Sequence, residues 1–84
     1  MKHAARQTLD GLETLLTVIR AHSELKEKKQ GIFYRKSRAF LHFHEDAAGL
    51  FADLRIGNEF QRFAVNTSAE QSHFITALKK ALAE

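Results

Sequence analysis

The sequence predicts an α+β fold: one two-layer domain spanning residues 1–84, with a four-stranded antiparallel meander between an N-terminal and a C-terminal helix (α-β-β-β-β-α). Three features carry this expectation. Apolar residues recur at helical spacing in the first third of the chain, the period falls to two from Ile32 onward, and a helix-start signature follows Val65.

Residues 8–29 read as one amphipathic helix. Leu9, Leu12, Leu16 and Ile19 form its apolar stripe, widened by Leu15, Val18 and Leu25. Thr8 is placed to cap its start. Lys26, Lys28 and Lys29 fall in its last turns, where cations meet the negative end of the helix dipole. Gly31 then supplies the positive φ that ends a helix at little steric cost.

Alternating segments at 32–35, 38–45, 50–56 and 59–65 read as strands. Gly57-Asn58 fits a two-residue hairpin loop, with glycine first as a type II′ turn requires. Residues 46–49 suit a four-residue loop. Lys36-Ser37 is the weakest turn signal, because neither residue favours a positive φ. The run Thr67-Ser68-Ala69-Glu70 is a capping box for the second helix, whose stripe is Phe74, Leu78, Ala81 and Leu82. The chain has no proline to interrupt a ladder.

Loop lengths set the register, and register decides which side chains share a face. The Gly57-Asn58 loop pairs Arg55 with Phe60, Asp53 with Arg62 and Ala52 with Phe63. The 46–49 loop pairs His44 with Phe51, His42 with Asp53, Leu41 with Leu54 and Phe40 with Arg55. A loop at Lys36-Ser37 pairs Phe33 with Phe40 and Ile32 with Leu41. One face then carries Ile32, Tyr34, Ala39, Leu41, Phe43, Leu50, Ala52, Leu54, Ile56, Phe63 and Val65. This is the expected core face, covered by both helices. The other face carries Phe33, Arg35, Arg38 and Phe40, then His42, His44, Phe51 and Asp53, then Arg55, Phe60 and Arg62. Antiparallel sheets often leave one face to solvent, but four phenylalanines on such a face point to a partner.

Composition narrows the function classes. Without cysteine there is no disulfide framework, thiolate nucleophile or cysteine zinc site. No apolar run reaches the roughly 20 residues that span a bilayer, so no membrane association is expected. The basic start from Met1 to Asp10 lacks an apolar stretch, so the expected location is cytoplasmic. The net charge of +3 is unevenly spread: Lys26, Lys28, Lys29, Arg35, Lys36 and Arg38 face only Glu27 over that stretch. Such a cluster attracts anionic partners, although basic runs are more often solvated surface.

His42-Phe43-His44 sets two imidazoles on one side of a strand, about 7 Å apart. Asp53 is the natural third metal ligand, but Arg62 beside it competes for the carboxylate. The row therefore reads first as a structural cross-strand pair, with neither metal nor other cofactor expected. Ser23, Ser37, Ser68 and Ser72 all lie away from that row, so a serine triad is not expected and the domain reads as non-enzymatic.

The leading expectation is an interaction module that self-associates or binds a protein through Phe33, Arg35, Phe40, His42, His44, Phe51, Asp53, Arg55, Phe60 and Arg62. The alternative is nucleic-acid binding, with bases stacked on the aromatics and phosphates held by Lys26, Lys28, Lys29, Lys36 and Arg38. A small anionic ligand or a metal at His42, His44 and Asp53 is the third reading.

Overall fold

The first helix stops where its apolar stripe stops. A helix continuing past Ile19 would bring His22, Ser23 and Lys26 to its core side. Instead α1 covers Glu13–Arg20 and ends at Ala21, and Leu25–Lys29 forms a strand. This corrects the expectation of a helix over 8–29. The computed structural model describes residues 2–3 and 12–83, the first pair by backbone alone. The expected cap at Thr8 and the stripe residue Leu9 lie outside the described residues.

In chain order the elements are β1 (Lys2–His3), α1, β2 (Leu25–Lys29), β3 (Ile32–Arg35), β4 (Arg38–Asp46), β5 (Gly49–Ile56), β6 (Glu59–Ala64) and α2 (Ser68–Leu82). Strands β2 to β6 form an antiparallel meander in sequential order. The two-residue β1 pairs with Glu45 and His44 of β4. The architecture is thus the α+β meander with one helix before it and one after it in the chain, built on five meander strands where four were expected. The extra strand is β2, a lysine-rich edge with an irregularity between Glu27 and Lys29, both of which discourage pairing with another chain.

Arg20 ties α1 to this edge. Its guanidinium reaches Glu13 Oε1 at 2.6 Å and holds Glu27 at two points, 2.6 and 3.0 Å. Glu27 also accepts the Gly31 N–H at 2.9 Å. Gly31, at φ 79°, serves in the β2–β3 turn rather than as the end of a helix. The pairing holds the Glu27 carboxyl below its ordinary range, chiefly through the hydrogen bonds from Arg20 and against partial burial.

Registers between β4, β5 and β6 follow from their short loops: Leu41 faces Leu54, His42 faces Asp53, Asp53 faces Arg62 and Arg55 faces Phe60. The β3–β4 register differs. Arg35 faces Arg38 and Tyr34 faces Ala39, but a bulge then places Phe33 opposite Leu41 and Ile32 opposite His42. Phe40 is the inserted residue, so it and Leu41 both enter the core. Facings from Ile32 to Phe40 are therefore the reverse of those expected. Phe33 is 1 % exposed and Phe40 4 %. Strict alternation would have left both rings in water, and burying a phenylalanine is worth about 1.5–3 kcal/mol.

The core lies between the helices and one sheet face, with Leu16, Ile19, Phe33, Leu41, Phe43, Leu54, Val65, Phe74 and Leu78 almost fully enclosed. Leu50 and Ile56 are partly buried against it. The capping box forms as written: Thr67 Oγ1 accepts the Glu70 N–H and the Glu70 carboxylate accepts that of Thr67. Among the described residues no helix is long and apolar enough to cross a membrane.

Candidate functional site

The sheet face away from the helices and the open end of β2, β3 and β4 hold the chemically distinctive groups. Lys26 is paired with Tyr34 across the β2–β3 hairpin, and Lys28 Nζ stands 4.8 Å from the centre of the Tyr34 ring. Two residues beyond Tyr34 comes the Lys36-Ser37 turn. Both of its residues adopt positive φ, 53° and 68°, a conformation that L side chains rarely take. The strained turn lifts Lys36 between two surface pockets. A pocket of about 250 Å³ is lined by Arg35, Lys36, Arg38, Phe40 and Arg55, among others. A second, about 230 Å³, is lined by Ser23, Glu24, Lys26, Lys28, Tyr34, Lys36 and Ser37.

The two pockets meet at Lys36 and present six cationic side chains. Glu24 is the one acid among the described residues lining them, 3.8 Å from the Arg35 guanidinium. Two of the cations are fixed by backbone carbonyls. Arg35 donates to the Ala81 and Leu82 oxygens at the end of α2, at 3.3 and 3.2 Å, and its guanidinium lies 5.5 Å from the Phe40 ring. Arg55 donates from Nε to the Ala39 oxygen at 2.7 Å and stacks 4.4 Å from the Phe60 ring. Lys26, Lys28, Lys36 and Arg38 are exposed.

Further along the same face runs the His–Asp row. His42 Nδ1 is 2.6 Å from His44 Nε2, which is 3.1 Å from Asp53 Oδ2. Arg62 grips Asp53 from Nε and Nη2 at 2.7 and 2.9 Å. Those hydrogen bonds hold the Asp53 carboxyl below its ordinary range, although burial to 7 % exposure pushes the other way. The Phe60 ring lies 4.7 Å from that of His42.

Of the residues expected on this face, His42, His44, Phe51, Asp53, Arg55, Phe60 and Arg62 occupy it in the expected cross-strand pairs. Phe33 and Phe40 do not; the bulge turns both into the core. Arg35 goes with them to the helical side, where it reaches α2 and still lines a pocket. Arg55 was expected between Phe40 and Phe60; it stacks on Phe60, while Arg35 takes Phe40. The basic residues Lys26, Lys28, Lys36 and Arg38 converge, whereas Lys29 lines neither pocket. Tyr34 was expected in the core and instead lines the second pocket. The signal for it was the spacing of Lys26 and Lys28, which puts two lysines on one side of a strand rather than in a helix turn. Comparisons of the chain with protein-family models, with curated proteins and with solved structures found no match.

Proposed function

We propose that this domain binds single-stranded nucleic acid along the groove formed by its two basic pockets. The observation that carries the reading is the convergence of six cations on pockets that meet at Lys36, against Glu24 alone. A polyanion with regularly spaced phosphates matches such a groove better than a single small anion does. Tyr34 in the groove and Phe60, 40 % exposed beside Arg55, supply planar faces for base stacking. A sheet-on-sheet homodimer draws less support, because two of the four phenylalanines that would have formed its apolar centre are buried in the core.

The test is fluorescence anisotropy with a labelled single-stranded oligonucleotide of about ten nucleotides. With the four exposed cations each neutralising one phosphate, log K falls with log salt at a slope of about −3. Lys36→Glu weakens binding at least tenfold. Absence of binding at low salt, or indifference to Lys36→Glu, contradicts the reading. Equal affinity for polyglutamate assigns the groove to an acidic protein instead. A stable dimer that buries Tyr34 and Phe60 assigns the face to a second copy of this chain.

A further inference from the structure

His42 and His44 project from the same side of β4, and the β4–β5 register sets Asp53 directly opposite His42. Their ligand atoms lie within 4.8 Å of one another. His44 Nε2 faces two neighbours at once, His42 Nδ1 at 2.6 Å and Asp53 Oδ2 at 3.1 Å. A neutral imidazole carries one N–H and one lone pair. With both rings neutral, the contact between the two ring nitrogens uses one proton. When His44 Nε2 carries it, the lone pairs of His42 Nδ1 and Asp53 Oδ2 compete for one hydrogen; when His42 Nδ1 carries it, the lone pairs of His44 Nε2 and Asp53 Oδ2 face each other. A divalent cation in its place serves all three. We infer that His42 Nδ1, His44 Nε2 and Asp53 Oδ2 form a binding site for a divalent transition metal of the zinc class, independent of the proposed nucleic-acid groove.

The donor set suits such an ion. The two imidazole nitrogens are borderline ligands that favour zinc and its neighbours over magnesium or calcium, and the carboxylate is a ligand zinc also accepts. Tetrahedral zinc with bonds of about 2.0–2.1 Å separates its ligand atoms by about 3.3 Å, so the rings need to move apart by about 0.7 Å, and the widest ligand pair, up to 4.8 Å apart, to close by about 1.5 Å. The site is also sheltered. The side chains of His44 and Asp53 are 13 % and 10 % exposed, so little water competes for the ligands. Arg62 then acts as an orienting partner. Its Nε holds Asp53 Oδ1 while Oδ2 is given to the metal, and its half-exposed side chain lets Nη2 move to solvent. Three protein ligands leave one coordination position for water or an incoming group.

Calorimetric titration of the purified protein with zinc chloride tests this. One equivalent binds, and His44→Gln and Asp53→Asn each weaken binding at least ~10-fold, while His22→Gln leaves it unchanged. Circular dichroism shows whether the variants are folded. Histidine ring NMR of the unaltered protein serves as a second readout that needs no substitution. Zinc-induced shifts centred on His42 and His44 support the site. Absence of binding, binding that survives His44→Gln, or shifts centred on His22 or His73 overturns it.

Discussion

Arg62 and Asp53 form a two-point ion pair across β5 and β6, Nε to Oδ1 at 2.7 Å and Nη2 to Oδ2 at 2.9 Å. It is an asymmetric pair, an exposed guanidinium closing over a buried carboxylate. The folded carboxyl is held below its unfolded value of about 3.9 by Arg62, against partial burial. The stability this supplies is therefore fully present above that value and lost as pH falls through the folded pKa beneath it. Urea midpoints should hold steady from about pH 7 to 5 and drop below about pH 4. Asp53→Asn should make that drop shallower, leaving the part contributed by Glu27, which is also held low. Identical acid limbs in the two proteins would show that the pair contributes nothing.

Leu54 is fully buried opposite Leu41, at the centre of the sheet face that meets the helices. Truncating a buried leucine to alanine costs about 2–5 kcal/mol, a large share of a small domain's stability. Leu54→Ala should lower the unfolding free energy by that amount in a denaturant titration. A loss below about 1 kcal/mol would mean that the residue is not in the core.

The Lys36-Ser37 turn carries backbone strain that glycine would relieve. Left-handed φ costs an ordinary L residue about 1 kcal/mol or more, whereas glycine adopts it freely. Ser37→Gly should therefore stabilise the domain by about 0.5–1 kcal/mol, after the added freedom of the unfolded chain is deducted. Destabilisation would show that Ser37 does not sit at the positive φ of 68°. At Gly49 the opposite holds: a Cβ would meet Asn66 Oδ1 at 2.6 Å, so Gly49→Ala should be destabilising in the same assay.

Legibility of the sequence divides at the β3–β4 bulge. From Leu41 to Phe63 the loops are short and the alternation is clean, so His42–Asp53, Asp53–Arg62 and Arg55–Phe60 are readable as pairs before any coordinates. Nothing local announces the bulge at Phe40. It exists because two phenylalanines gain more by entering the core than one inserted residue costs, which is a tertiary decision. Residues 25–29 mislead for another reason. Three lysines after an amphipathic stripe imitate the basic end of a helix, and an exposed edge strand has the same composition. The basic groove was half legible. Lys26, Lys28, Lys36 and Arg38 are close in sequence, but Arg55 joins them only through the sheet, and Tyr34 only because the bulge reverses its facing.

Backbone amide NMR of the ¹⁵N-labelled protein, titrated with a single-stranded oligonucleotide, tests the central claim most directly. The account predicts shifts at Lys26, Lys28, Tyr34, Lys36, Arg38, Arg55 and Phe60, with the outer face of α2 unmoved. Shifts centred on α2, or none at saturating oligonucleotide and low salt, would contradict it.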